Sequence, residues 1–193
     1  MKIEELHLLL SAALKTTRIT VPPDTALHAA AKDQLAMARA YESDGTTFAG
    51  AGDPVNALAG FFYAFGWLHF GCAYGTLITD MAIPPCPFIR PCGRLLGAVS
   101  GKLTEKSGRY ERLLTSASAS VTCAPDPSTP AYLLAARTLQ VADASACQGR
   151  WFLEMKREED ALAHFSYGHG WLDAGVRAGL FTIHAHREIF TVD

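Results

Sequence analysis

Laid against itself at an offset of 104 residues, the chain brings Gly66-Trp67-Leu68 onto Gly170-Trp171-Leu172. The match runs on without a gap. Ala57, Leu58, Ala59, Phe61, Tyr63, Gly71 and Gly75 fall on Ala161, Leu162, Ala163, Phe165, Tyr167, Gly175 and Gly179. Upstream, Ala31, Leu35, Ala38, Ala40, Gly45 and Phe48 fall on Ala135, Leu139, Ala142, Ala144, Gly149 and Phe152. Self-similarity of this extent reads as a duplication, and it requires both copies to build the same unit in the same environment. Residues 1–80 are read as the first helical repeat, 81–104 as a proline-rich linker and 105–193 as the second helical repeat.

The repeat decides how the most apolar stretch is read. "ALAGFFYAFGWLHFGCAYGTLI", residues 57–78, has no charged side chain and is long enough for a membrane span on length alone. Its counterpart, "ALAHFSYGHGWLDAGVRAGLFT", holds His164, His169, Asp173 and Arg177. Asp and Arg near a bilayer centre each cost roughly 2.5–3.5 kcal/mol. Two copies of one unit share an environment, so both stretches are expected to be core helices of a soluble bundle, with no membrane partner.

Three helices are predicted in each copy. The first spans Ile3 to Thr16 and Glu105 to Ser118, with Leu6, Leu9, Leu10, Ala13 and Leu14 in one and Tyr110, Leu113, Leu114 and Ala117 in the other at helical spacing. Prolines at Val21-Pro22-Pro23 and Pro125-Asp126-Pro127 interrupt, with Asp24 and Ser128 placed to cap the second helix and Pro130 suited to its first turn. The identities of the second helix at 31, 35, 38, 45 and 48 lie on one face. Asp53-Pro54 reads as the cap and first residue of the third helix.

The third helix carries a ridge of Tyr63, Trp67, Gly71 and Gly75, four residues apart, repeated as Tyr167, Trp171, Gly175 and Gly179. Glycine inside a helix costs about 1 kcal/mol relative to Ala. Two per copy on one ridge are expected to admit close approach by another helix. The expected fold is all-α: tandem three-helix up-and-down bundles related as a pseudo-dimer, with their glycine ridges facing each other. Between them, "TDMAIPPCPFIRPCGRLLGAVSGK" reads as the linker, with Gly93 to Lys102 leading helically into the second copy.

A formal net charge of −2 gives no electrostatic footprint for nucleic acid, and none is expected as a partner. The N-terminus lacks the pattern of a secretory signal, so a cytoplasmic location is expected. Five cysteines, Cys72, Cys86, Cys92, Cys123 and Cys147, include no C-x-x-C pair, which argues against a disulfide framework or a zinc knuckle.

Candidate chemistry is sparse. His169, Asp173 and Arg177 lie four apart on one face of the third helix of copy two. They could form a carboxylate-oriented imidazole with an Arg to hold an anion, as a catalytic group between the repeats. The plainer expectation is an i,i+4 ion pair of Asp173 with Arg177 beside a histidine, because copy one has Phe65, His69 and Ala73 there. His184 and His186 are the weakest metal candidates: two residues apart, they do not share a helical face. Arg177 followed by His184 also echoes the Arg/His spacing of helical ribonucleases, a minor alternative. No phosphate loop or nucleophile turn is present.

The stretches "YGHGWLDAGVRAGLF" and "YAFGWLHFGCAYGTL" resemble the closing helix of the archaeal domain of unknown function 357. The upstream "AMARAYESDGTTFAGAGDPVNALAGFFYA" is similar to that family's Ala/Tyr-rich helix, Gly-Asp turn and Ala-rich restart. The resemblance implies two fused copies of a small helical bundle and an archaeal origin. It implies no chemistry, since the family's activity is not known. Copy one departs from the family pattern at His69 and Phe70, which stand where copy two has Asp173 and Ala174.

Together these readings lead to a non-enzymatic interaction or assembly module in which the two repeats pair, with a homo-oligomer or protein partner as its target. No cofactor or metal is expected. The alternative is a small-molecule or metal-dependent enzyme with its site between the repeats.

Overall fold

The computed structural model describes residues 1–82, 84 and 99–191. The proposed linker therefore lies largely outside the described residues, as do Cys86 and Cys92 and most of the expected lead-in from Gly93. The first half contains α1 (Ile3–Thr16), β1 (Arg18–Ile19), α2 (Ala26–Gly50), α3 (Pro54–Tyr74) and β2 (Leu77–Ile78). The second contains α4 (Ser100–Ala119), β3 (Val121–Cys123), α5 (Pro130–Glu154), α6 (Glu158–Arg177) and β4 (Phe181–Ile183), followed by a 3-10 turn at Arg187–Ile189. The mostly helical class and the two-part arrangement are as the repeat requires.

Local chemistry sets the helix ends. The side chains of Thr25 and Thr129 cap α2 and α5, accepting from the backbone N–H of His28 and Tyr132. The caps thus fall one residue beyond Asp24 and Ser128, and Asp24 instead takes a left-handed turn at φ 62°. Asp53 caps α3 by accepting from Asn56 N–H, with Pro54 in the first turn. Before α6 the same turn is made without glycine, because Lys156 adopts φ 58° where Gly52 adopts φ 74°. α4 begins at Ser100, earlier than the expected Glu105. Its start is tied across to the other elements by Lys102 Nζ on Asp53, at 2.6 Å, and by Thr104 Oγ1 on Glu158.

The short strands are an addition that the sequence did not show. β1 pairs antiparallel with β2, Arg18 opposite Ile78, and β3 with β4, Thr122 opposite Thr182. Each clips the chain leaving the first helix of a half to the chain leaving its third. Two or three residues are too few for an alternation to register as a strand pattern.

α3 and α6 are the centre of the molecule. Phe61, Phe62, Phe65, Trp67, Leu68 and Phe70 of α3 are completely buried, and so are Leu162, Phe165 and Leu172 of α6. α3 packs between α2 and α6, while α6 packs on α5, α4 and α3. The apolar run is therefore a protein core. Among the described residues no helix is long and apolar enough to cross a membrane.

The two halves pair, but not through the predicted glycine ridge. A Cβ on Gly71 would meet Leu77 and Gln34 of its own half, and one on Gly175 would meet Phe181 and Thr138. Gly75 and Gly179 sit at the helix ends with φ 77° and 75°, serving as left-handed caps. The close approach lies instead at Gly66 and Gly170. A Cβ on Gly66 would fall 2.5 Å from the carbonyl oxygen of Tyr167, and one on Gly170 would fall 2.4 Å from that of Tyr63. The ridge expectation put the glycines on the correct helices and the crossing on the wrong ones.

This difference is measurable. Gly66→Ala and Gly170→Ala should each lower stability by about 2–3 kcal/mol, because backbone cannot move aside. Gly71→Ala should cost less, about 1 kcal/mol, since its Cβ would meet the Leu77 and Gln34 side chains rather than backbone and the helix gains propensity. Urea denaturation of the three variants checks the ranking, and an equal effect in all three would contradict the assignment of the crossing.

Candidate functional site

At the crossing, Tyr63 meets Asp173, Gly66 meets Gly170 and His69 meets Tyr167, so α3 and α6 run in opposite directions. Tyr63 and Tyr167 are equivalent positions in the two halves, as are His69 and Asp173. The same hydrogen bond is therefore made twice about the crossing, once to a carboxylate and once to an imidazole.

On the Asp173 side the C-terminal segment fills much of the site and leaves a small cleft of about 190 Å³ beside Tyr41, Tyr63 and His169. Asp173 is wholly buried and accepts from the Tyr63 hydroxyl, from Thr191 N–H at 2.9 Å and from Thr191 Oγ1 at 2.8 Å. Arg177 donates from Nε to Asp33 at 3.0 Å and from a terminal nitrogen to the Thr191 carbonyl at 3.0 Å. The expected Asp173–Arg177 ion pair is thus replaced. Each partner instead grips Thr191, and Arg177 reaches across to the other half for its carboxylate. Tyr41 packs against Tyr63 with ring centroids 4.3 Å apart and the planes tilted by 54°, and Phe190 is buried. Burial raises the Tyr63 hydroxyl well above its ordinary pKa, and the negative charge of Asp173 adds to this.

His169 lies in the same site, edge-on to Tyr63 at 5.5 Å between ring centroids. Burial lowers its pKa, opposed by the Asp173 charge, and its Nε2 has no hydrogen-bond partner among the described residues. His169 and Asp173 are brought together as the sequence spacing suggested, but beneath the C-terminal segment. His184 and His186 are exposed: His184 Nε2 lies 2.7 Å from Thr122 Oγ1, and His186 Nδ1 lies 3.3 Å from Glu188. Among the described residues no cluster of three metal-ligating side chains forms. Arg177 and His184 of the minor ribonuclease alternative each have these other partners.

On the His69 side the site is an open cleft of about 390 Å³ between α3, α5 and α6. Its wall is a stripe along α5, from Arg137 through Val141, Ala144 and Ser145 to Gln148. The opposite wall comes from His69 and Ala73 of α3 and from His164, Tyr167 and Trp171 of α6. His69 Nδ1 lies 3.0 Å from the Tyr167 hydroxyl, and its Nε2 is buried with no partner among the described residues. Burial pushes the imidazole from its ordinary 6.5 down to about 4, so the ring is neutral at pH 7. In the tautomer in which Tyr167 donates to Nδ1, Nε2 carries the ring proton; in the other, Nδ1 donates to the Tyr167 oxygen and Nε2 is an acceptor.

The contrast between the sites follows from four exchanged positions. Where the Asp173 side has Tyr41, the open side has Ser145, which leaves the space that a phenol ring fills opposite. Asp33 is exchanged for Arg137, Asp44 for Gln148, and Arg177 for Ala73. Sequence reasoning named His169, Asp173 and Arg177 on one side and Tyr167 and Trp171, as packing residues, on the other, and missed the α5 wall from Arg137 to Gln148. The available signal was the non-identical positions of the repeat, read in pairs.

Two measurements probe the crossing. Tyr63→Phe strips a donor from a buried carboxylate and should cost about 2 kcal/mol, against about 1 for Tyr167→Phe, whose partner is neutral. The His69 shift also fixes a sign. The unfolded imidazole takes a proton below about 6.5 and the folded one only near 4, so this group destabilises the fold as pH falls through that window and has no effect above it. Denaturation at pH 7 and pH 5 should show His69→Phe losing about 2 kcal/mol less than the parent chain on acidification. An equal loss in both would mean that His69 is protonated in the folded state.

With this geometry in view, comparison with known proteins gives one result. No curated protein and no solved structure matches the chain. Residues 7–77 and residues 109–181 each match the family described as Protein of unknown function (DUF357), one match in each structural half, and the chain belongs to that family.

Proposed function

We propose that the protein is a non-enzymatic interaction module whose binding site is the open cleft between its two halves. The observation that carries this reading is the inequality of two equivalent sites. One is largely occupied by the chain's own Thr191 and Phe190 beside Tyr41, leaving about 190 Å³, while the other is, among the described residues, a cleft of about 390 Å³ with an apolar wall. A cleft of this size, mostly apolar with a few placed polar groups, suits a small organic ligand. The enzyme alternative draws less support, because Asp173 is wholly buried and engaged with Tyr63 and Thr191. The pairing of α3 with α6 supports an internal pseudo-dimer as the frame of the module.

Native mass spectrometry of protein purified without detergent or chelator, repeated after denaturation, tests the reading. A reproducible excess mass lost on denaturation is expected. A chain that shows none, and gains none when incubated with small-molecule extract, overturns the cleft as a binding site.

A further inference from the structure

We infer that the small cleft on the Asp173 side binds an organic ammonium ion, seated beside Tyr41 and Tyr63 as the counter-charge of Asp173. This site is separate from the cleft between α3, α5 and α6 and does not rest on that reading.

Asp173 is wholly buried, and its three hydrogen bonds come from the Tyr63 hydroxyl and from the N–H and hydroxyl of Thr191. All of these donors are neutral. Buried charges are as a rule paired with an opposite charge, because neutral donors leave the net charge standing in a medium of low dielectric. Among the described residues no cation pairs with Asp173, and those nearby are engaged elsewhere. Arg177 is held by Asp33 and by the Thr191 carbonyl. Lys106 Nζ donates to Asn56 Oδ1, and Arg109 pairs with Glu105 at 3.5 Å. His169 shares the site, but burial lowers its pKa and keeps the ring neutral at pH 7.

The space beside this carboxylate suits a small cation. The cleft of about 190 Å³ is lined by Tyr41, Tyr63, Tyr110, His169 and Phe190, with the exposed Glu188 adding a second negative charge. That is about six waters' worth of volume, room for a cation of roughly seven non-hydrogen atoms. Tyrosine rings attract cations to their faces, more strongly where water is partly excluded. Tyr110 displays this already, with Lys106 Nζ 5.0 Å and the Arg109 guanidinium 5.8 Å from its ring centre. Because Tyr63 donates to Asp173, its phenol oxygen takes up part of that negative charge. The shared fold does not demand these groups. The equivalents of Tyr41, Tyr110 and His169 in the other half are Ser145, Leu6 and Phe65, and His69 stands there in place of Asp173. Polar aromatic residues thus gather on the side that carries the buried carboxylate.

The probes are choline, its uncharged isostere dimethylbutanol and potassium chloride. Titration calorimetry with the full chain should show choline binding at least tenfold more tightly than the alcohol, and potassium at like concentration should not displace it. Asp173→Asn removes the charge at nearly constant shape, and should lower choline affinity at least tenfold while leaving that of the alcohol unchanged. Tyr41→Ser, the residue of the other half, supplies a second variant and should lower choline affinity at least fivefold. On the unaltered chain the ring resonances of Tyr41 and Tyr110 should move with choline. Equal affinity for choline and the alcohol, or full choline affinity in either variant, overturns the inference. Displacement by potassium assigns the site to a metal ion and overturns the organic one. No binding of choline, or resonance shifts at Trp171 alone, which lines the other cleft, overturns the site itself.

Discussion

The backbone contact of Gly66 with Gly170 is the constraint on which the other features depend. With no Cβ on either residue, α3 and α6 close until a carbonyl of one lies against a glycine of the other. At that separation Tyr63 reaches Asp173 and Tyr167 reaches His69, and both bonds would be lost if the helices stood further apart. The second approach in each half works by ring rather than backbone. Gly45 lies against the face of Phe61 and Gly149 against that of Phe165, which seats α2 on α3 and α5 on α6. Fixing these three contacts fixes the two clefts that flank the crossing.

Much of this order was legible in the sequence. The repeat, the three helices per half, the Asp53-Pro54 start and the rejection of a membrane span all came from spacing and from one copy correcting the other. The glycine ridge was misread because a helical wheel shows which residues share a face and not what that face meets. Gly71 and Gly75 share a face with Trp67, yet one lies against the clip formed by Leu77 and the other ends the helix. The identity that began the repeat, Gly66 on Gly170, marked the crossing itself. It carried no periodic signal because there is one such glycine per helix.

The candidate site was legible in the opposite way. His169, Asp173 and Arg177 are polar groups at helical spacing and attract notice, but their partners come from Thr191, Asp33 and Tyr63, which are distant in sequence. Spacing alone suggested that Asp173 pairs with Arg177. The fold instead separates the pair by placing a chain segment between them, and a buried carboxylate gains more from three donors at once than from one exposed guanidinium. The open cleft is written in what differs between the copies. Tyr41 against Ser145 and Asp33 against Arg137 are unremarkable substitutions until the pseudo-symmetry places each pair at matching points of two sites.

That comparison also explains why the open cleft is a tension in the fold and not simply a gap. The half-buried Val141 and exposed Ala144 of its wall forgo burial worth about 25 cal/mol per Å² of apolar surface. An imidazole nitrogen buried without a partner costs on the order of 1–3 kcal/mol. On the Asp173 side the chain's own Tyr41, Phe190 and Thr191 cover much of the equivalent surface, while His169 Nε2 keeps the same polar cost. The two costs on the open side arise from different chemistry, one apolar and one polar, yet they meet at a single place.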